Sequence, residues 1–358
     1  MSKLISFIGI VVVAVGLIGC SGEKQWQVYK GKAGEGLGKK IVLISGDEEY
    51  RSEELMPQLG KMLANSHGFE CRVLFAQNPE VPGQINPNYL ENIPGLEALE
   101  EADLMIIATR FRNLPDEQMK MIEDYLLSGR PVVGYRTATH AFKIPEDRAF
   151  AHWSFNYKGE KTDWEGGFGR LVLGTTWIAH HGWHKKESTR GIVVKGSPLG
   201  NGIGEGEIWS TTDVYGTPYP LPGDSQAIAL GQVLDGMEPD DEPIGAGPYE
   251  KAPRYGQNNP KFHKNAPMMP IAWTKSYQIP GGEKGRVFVS TLGASLDLKE
   301  SGVRTLFGNG IFWALGLEIP AGGAQMEIVG DFNPTMFSFN KEEGHYEQQN
   351  LRVSDLDW

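Results

Sequence analysis

Short apolar runs alternate with amphipathic segments through the first 140 residues of the chain. The runs are rich in Val, Ile and Leu and occupy positions 40–45, 70–76, 103–109 and 131–135. Between them, segments 53–66 and 115–127 repeat apolar residues every three or four positions, which predicts helices. Strands that alternate with helices favour a mostly parallel sheet covered on both faces. The sequence therefore predicts an α/β, doubly wound fold.

The second half of the chain has a weaker pattern. A helix is predicted over 303–317, and a segment rich in Pro, Gly and Asp at 235–267 is interpreted as a surface insertion. Further strands are predicted at 170–174, 191–195, 227–230 and 286–292.

The N-terminus has the pattern of a bacterial lipoprotein signal. Lys3 precedes an apolar run over 4–18, and Leu17-Ile18-Gly19-Cys20 resembles a lipobox in which Cys20 is acylated. The run is short for a membrane span, although an uncleaved anchor helix is the alternative. We expect a signal peptide at 1–19, lipidated Cys20 with a flexible tether to residue 39, a domain over 40–318 and a C-terminal extension over 319–358. Such a protein would be anchored in the bacterial cell envelope, with Ser21 favouring the outer membrane facing the periplasm or the surface.

Charge and cysteine content exclude several kinds of site. A net charge of -11 and a pI near 5.3 disfavour nucleic-acid binding, which needs a basic surface. The second cysteine, Cys71, lies in a predicted strand and is expected to be a buried apolar side chain. With Cys20 lipidated, the chain has neither a disulfide nor a cysteine-rich metal site.

The stretch 131–142 has the small residues of a nucleophile elbow between a strand and a helix. Its Gly134 allows close packing, and the exposed position would be Arg136. Because arginine stays protonated and has no lone pair, it cannot act as a nucleophile. The pattern therefore predicts the elbow scaffold without amidotransferase chemistry.

Charged residues follow three of the predicted strands. Ligands of open α/β sheets bind outside the carboxyl ends of the strands, so we expect 47–51, 110–112 and 136–140 around one crevice. A carboxylate there could act as acid or base, and an arginine could bind a carboxylate, phosphate or carbonyl oxygen. The alternatives are that the acids cap a helix and that the arginines pair with them. For His140, a general base and a buried ring are equally open.

His180, His181 and His184 form the densest group of imidazoles in the sequence. With a carboxylate they could bind zinc or another divalent ion, although Gly182 argues against a helix that would place two of them on one face. Trp177 and Trp183 lie among them and equally suit a platform on which a sugar ring stacks.

Several motifs together resemble the ThuA (trehalose-utilisation) family, over about residues 40–318. They are Gly46 to Glu54, Gly134 to Phe142, Ser197-Pro198-Leu199, Asp213-Val214-Tyr215, Gly285 to Phe288 and Trp313 to Glu318. The resemblance implies a flavodoxin-like fold related to class I glutamine amidotransferases and a link to disaccharide or keto-sugar metabolism. This chain departs from the commoner pattern: many relatives have His in place of Arg136, and Glu in place of Val214.

Two functions follow as hypotheses. The first is an envelope enzyme that acts on a sugar or keto-sugar by acid–base chemistry, with arginines stabilising an oxyanion. The second is a carbohydrate-binding lipoprotein without catalysis, and a structural partner protein is a more distant third. The candidate residues are Glu48, Glu49, Arg136 and His140 for catalysis, Asp47, Arg51, Arg110, Arg112, Trp177, Asp213 and Tyr215 for ligand binding, and His180, His181 and His184 for a divalent metal.

Overall fold

The computed structural model describes residues 22–245 and 264–358. The predicted signal peptide, Cys20 and much of the 235–267 insertion lie outside the described residues. Within the two described ranges, no helix has both the length and the apolar character needed to cross a membrane.

The predicted α/β class is confirmed: ten strands form one mixed sheet, with helices packed against it. The strands are β1 (Trp26–Lys30), β2 (Lys40–Gly46), β3 (Glu70–Phe75), β4 (Leu104–Thr109), β5 (Val132–Tyr135), β6 (Thr189–Val193), β7 (Trp209–Ser210), β8 (Gln226–Val233), β9 (Met269–Tyr277) and β10 (Gly285–Ser290). The α-helices are α1 (Ser52–His67), α2 (Asp116–Leu127), α3 (Ser301–Leu315) and the short α4 (His345–Gln349).

The centre of the sheet is parallel and its edges are antiparallel. In space the strands follow the order β1-β3-β2-β4-β5-β10-β9-β8-β6-β7. The five neighbouring strands at the centre, β3, β2, β4, β5 and β10, pair in parallel. At one edge β1 pairs with β3 in antiparallel fashion. At the other edge the strands β9, β8, β6 and β7 also pair in antiparallel fashion. The parallel part brings the ends of β2, β4, β5 and β10 to one edge, where loops can hold a ligand.

Alternate residues of the central strands enter two hydrophobic cores. In β2, Ile41 and Leu43 pack with α1 and α3 on one face, while Val42 and Ile44 pack with α2 on the other. Successive strand side chains point to opposite faces, so an uninterrupted apolar run is what a doubly covered strand needs. This explains why β2 and β4 could be recognised in the sequence.

Three local predictions were wrong. Residues Trp26–Lys30 form a strand paired with β3, so this part of the predicted tether belongs to the sheet. The apolar run predicted as a strand at 170–174 is a π-helical turn, Gly169–Leu173, and the predicted helix after the elbow is a 3-10 turn, Arg136–His140. A short apolar run cannot distinguish a buried strand from a buried helical turn.

Candidate functional site

Three loops meet at the carboxyl ends of β2, β4 and β5, as predicted. Asp47 fixes the first loop, because its Oδ1 accepts hydrogen bonds from the backbone N–H groups of Glu49 (2.8 Å) and Tyr50 (3.2 Å). Its Oδ2 accepts from the Thr137 hydroxyl at 2.6 Å, which ties this loop to the elbow after β5. Asp47 therefore positions the loop at the site. It does not cap α1, which begins at Ser52 and has no side-chain hydrogen bond at its N-cap residue, Arg51.

Arg136 occupies the elbow but is not the exposed catalytic group that was predicted. Its φ of 42° is the strained backbone typical of such a turn, yet its side chain is buried. Nη1 donates to the carbonyl oxygens of Asp213 (2.9 Å) and Thr291 (2.8 Å), and Nη2 donates to the Tyr50 hydroxyl and to Asp213 Oδ1, both at 3.1 Å. The guanidinium also lies 3.8 Å from the ring centre of Tyr215. Arg136 is therefore an internal cation that joins β5, β10 and the Asp213 loop.

Asp213 is completely buried and holds two imidazoles. Its Oδ2 lies 2.6 Å from Nδ1 of His180, and its Oδ1 lies 3.0 Å from Nδ1 of His184. Burial opposes ionisation, but the hydrogen bonds from His180 and His184 and the charge of Arg136 lower the pKa of Asp213 below its ordinary value. A carboxylate only accepts, so both Nδ1 atoms carry the proton, and in a neutral ring each Nε2 keeps its lone pair.

Glu49 lies on the other side of His184. Its Oε1 is 3.5 Å from His184 Nε2, and its side chain is only 8% exposed. Burial, with the nearby charge of Asp47, raises the pKa of Glu49 to about 8. Burial lowers the pKa of His184, with the Asp213 hydrogen bond opposing it. Near pH 7 the site therefore holds a protonated carboxyl beside a neutral imidazole, an acid and a base.

Glu48 is not a free catalytic carboxylate. It pairs with Nη1 of Arg110 and with Nη2 of Arg112, the latter at 2.8 Å. Burial raises the pKa of Glu48, and the charges of Arg112 and Arg110 oppose that shift. Arg112 is itself fully buried and also donates to the carbonyl oxygens of Pro87 and Tyr89. These contacts hold the β4 loop, and ligand binding by Arg112 stays a prediction.

Arg110 is the arginine best placed for a substrate. Its buried Nε has no hydrogen-bond partner within the described residues and lies 3.8 Å from Glu49 Oε2. A buried donor without an acceptor is costly, and a substrate oxygen beside Glu49 would satisfy it. Arg51, by contrast, does not reach the crevice, since it donates to the Tyr346 hydroxyl (2.9 Å) and the Ser338 carbonyl (3.0 Å) of the C-terminal extension.

His140 is buried, as one of its two interpretations predicted. Its Nδ1 lies 3.0 Å from the Thr139 hydroxyl, and its ring packs near Phe111 and Trp177. Burial, with the positive charges of Arg110 and Arg136, holds the pKa of His140 well below its ordinary value. The half-buried Trp177 bridges His140 and His180 and remains a candidate for a sugar contact. Tyr215 is buried against Arg136, so its ring is not open to a ligand.

The predicted group of three histidines is divided. His181 is buried and its Nε2 hydrogen-bonds the Lys264 carbonyl at 2.7 Å, away from the other two. Donor atoms of His180, His184 and Asp213 do lie within 4.8 Å of one another. However, both Nδ1 atoms already bond to Asp213, and Arg136 shares that carboxylate. A cation that took Asp213 as a ligand would replace these bonds and be repelled by the guanidinium, whereas one bound through the Nε2 atoms would leave them in place. A divalent metal at this cluster therefore stays a prediction.

The polar, weakly patterned tail from Ala321 suggests a segment that lies over the domain, and in the structure part of it covers the site. Phe337 is completely buried, with its ring centre 5.0 Å from that of Tyr50 and 5.4 Å from that of His184. The Ser338 N–H donates to the Glu49 carbonyl at 3.0 Å, and the ring of Phe339 lies 4.8 Å from the Arg110 guanidinium. We call residues 335–339 the strap. Its alternating aromatic residues were visible in the sequence, but nothing local indicated where they pack.

Comparisons with known proteins find matches among solved structures. No family model and no curated protein matches the chain. A solved structure of a ThuA-like protein from Bacteroides uniformis is 14% identical, with a TM-score of 0.43, and covers 80% of this chain and 95% of its own. One from Parabacteroides merdae is also 14% identical, with a TM-score of 0.39, and covers 85% of this chain and 98% of its own. The structural neighbours of this chain are thus ThuA-like proteins, the family that its sequence motifs resemble.

Proposed function

We propose that this protein is an acid–base enzyme that acts on a carbohydrate, with a keto-sugar as the favoured substrate. The observation that carries the proposal is the chain of contacts from Glu49 through His184 to Asp213. A base oriented by a buried carboxylate, next to a second group that can give up a proton, is a recurring catalytic arrangement. The crevice at the strand ends and the unsatisfied Nε of Arg110 support it.

The proposed step is proton transfer on adjacent substrate atoms. His184 Nε2 takes a proton from the carbon next to a carbonyl, and the Glu49 carboxyl gives its proton to the carbonyl oxygen, which yields an enediol. Asp213 stabilises the imidazolium, and Arg110 stabilises the Glu49 carboxylate. In the second half, the imidazolium gives its proton to the former carbonyl carbon, and Glu49 recovers a proton from the hydroxyl group on the carbon that was deprotonated first. That carbon becomes the new carbonyl, so the reaction is an isomerisation of a sugar with a hydroxyl group next to its carbonyl, and no further reactant is needed.

The proposal extends to the fold and the location. The five parallel strands, counted in chain order, are arranged 2-1-3-4-5, the order of flavodoxin-like sheets, which supports an amidotransferase-like ancestry. We further propose that Cys20 carries a lipid anchor in the bacterial envelope. The wild type should incorporate a labelled fatty acid and Cys20→Ser should not, and equal labelling of the two would contradict the lipid anchor.

The test of the function uses the full-length protein with trehalose, other disaccharides and their 3-keto forms. Because an isomer has the mass of its substrate, the products are separated by chromatography before mass spectrometry. Conversion that survives a chelator and is reduced at least a hundredfold by Glu49→Gln supports the proposal. Glu342→Gln, an exposed acid in the C-terminal extension, is the matched control and should convert normally.

Two other outcomes would point elsewhere. Conversion that a chelator abolishes would favour the competing hypothesis of a divalent ion at His180, His184 and Asp213, which the closeness of their donor atoms motivates. Binding without any conversion would favour the carbohydrate-binding lipoprotein, and changes at Trp177 should then weaken the affinity.

A further inference from the structure

A cleft of about 1040 Å³ lies beside the candidate site. It begins at Phe111, the residue after Arg110, and its other apolar lining comes from side chains such as Leu90 and Ile144. Hydrogen-bonding groups lie between these apolar surfaces, among them Asn113, Asn156 and the Tyr157 ring with its hydroxyl. A lining that mixes apolar patches with polar groups matches a ligand that has both C–H faces and hydroxyl groups.

The charges of the cleft nearly cancel. Lys143 and Lys158 face the three acids Glu91, Glu146 and Glu160 along its lining. Balanced charge gives no strong field of either sign, so the cleft does not select polyanions or polycations. A neutral ligand is therefore favoured.

The cleft continues into a second one. A neighbouring space of about 440 Å³ shares Glu91 and Asn113 with the first and extends to the start of α2 at Asp116. Ligand sites for one small molecule occupy roughly 300–1,000 Å³, so the two spaces together suit an extended ligand. We call the joined clefts the groove.

Phe111 connects the groove to the candidate site. Its backbone has a φ of 52°, a rare conformation for a bulky residue, and its N–H donates to the His140 carbonyl at 3.0 Å. The Arg110 guanidinium lies 4.2 Å from the Phe111 ring centre on the way to Glu49. Strain of this kind is retained where surrounding contacts enforce it, often at ligand sites.

We propose that the groove binds the distal units of a neutral oligosaccharide whose terminal unit reaches Glu49 and His184. The inference rests on the proposed function for the choice of a carbohydrate, and it adds that the substrate has several units. The polar side chains would bind hydroxyl groups, and the apolar lining would contact the sugar rings.

The test measures affinity against ligand length by calorimetry on the full-length protein. The probes are glucose, α-1,4- and β-1,4-linked glucose oligomers of two to six units, and an oligogalacturonate of equal length. We expect at least a tenfold gain in affinity between one and four units in a neutral series. No binding, an affinity independent of length, or tighter binding of the oligogalacturonate would overturn the proposal.

Variants locate the binding. Lys143→Ala with Asn156→Ala changes two exposed positions and should remove most of the gain with length while leaving glucose binding unchanged. Phe111→Ala should also reduce the gain with length, and the exposed double variant decides if Phe111→Ala does not fold. Tyr219→Ala, at a side chain 63% exposed and outside the groove lining, is the control. Wild-type affinity for the tetramer in the double variant would contradict the groove.

The two proposals can fail separately. Turnover that requires Glu49 but does not change in the groove variants would support the proposed enzyme and contradict the proposed groove. Length-dependent binding that the groove variants abolish, together with a lack of turnover, would support the groove and contradict the proposed enzyme.

Discussion

Arg136 is the residue whose sequence interpretation changed most. The elbow at 131–142 was recognisable, because small residues at a strand-to-helix junction have a steric reason to be there. The burial of Arg136 was not recognisable, because it depends on Asp213, Thr291 and Tyr50, which are distant in the sequence. The strand-end rule placed Asp47 to Glu49 correctly at the site, whereas only the folded chain shows which carboxylate is paired.

Arg136 should matter for stability more than for a chemical step. Arg136→Met would leave Asp213 beside two histidines without its cation and two carbonyl oxygens without donors. Breaking a buried pair in this way typically costs about 3–5 kcal/mol, which urea unfolding would measure. Arg170→Met, in an exposed ion pair with Glu165, is the control and should cost less than about 1 kcal/mol. Equal losses in the two variants would argue against the internal-cation role.

The strap is the element that covers the site and limits its contact with water. Phe337 packs on Tyr50 and His184, and the burial it provides contributes to the raised pKa of Glu49. A sequence pattern could predict that residues after 319 are an extension, but the place where they dock is set by long-range contacts. The same holds for β9, whose pairing with β8 and β10 joins segments separated by loops.

Phe337→Ala should admit water and lower the pKa of Glu49 from about 8 toward its ordinary value. The alkaline limb of the rate profile would then move to lower pH, because the acid loses its proton earlier. Met336→Ala, at a neighbouring side chain 43% exposed, should leave the limb in place. An unmoved limb in Phe337→Ala would show that the strap does not set the proton affinity of the site.

Across the whole molecule, two buried carboxyls link stability to pH. Burial raises the pKa of both Glu49 and Glu53 to about 8. Between pH 4.5 and 8 the folded state holds protons on these two groups that the unfolded chain has released, so their contribution to the free energy of unfolding falls as the pH rises. Each group contributes at most roughly 1.4 kcal/mol per pH unit in that window. Buried histidines with lowered pKa values, such as His140 and His184, act in the opposite direction below about pH 6.5.

Thermal unfolding between pH 5 and 8 would measure this linkage. Glu53→Gln keeps a neutral side chain at every pH, so its melting temperature should fall less steeply than that of the wild type. Glu342→Gln, at an exposed acid, should follow the wild type. A melting temperature that changes with pH in Glu53→Gln as it does in the wild type would contradict the raised pKa of Glu53.

At the same scale, the parallel centre of the sheet and the strands β6 and β8 could be predicted, whereas the edge strand β1 could not. Doubly covered strands such as β2 and β4 read as continuous apolar runs. β1 alternates buried Gln27 and Tyr29 with more exposed neighbours among glycine-rich sequence, and this edge-strand pattern is too short and too polar to stand out.

The most direct test of the account is the pH dependence of turnover on a keto-disaccharide, for the wild type and for Glu49→Gln. With Glu49 as acid and His184 as base, the wild-type rate should be bell-shaped. It should rise on an acidic limb below pH 6.5, where the lowered pKa of His184 lies, and fall on an alkaline limb near pH 8. Glu49→Gln should retain the acidic limb, lose the alkaline one and turn over at least a hundredfold more slowly. An unchanged profile and rate in Glu49→Gln would contradict the acid–base role at the centre of this account.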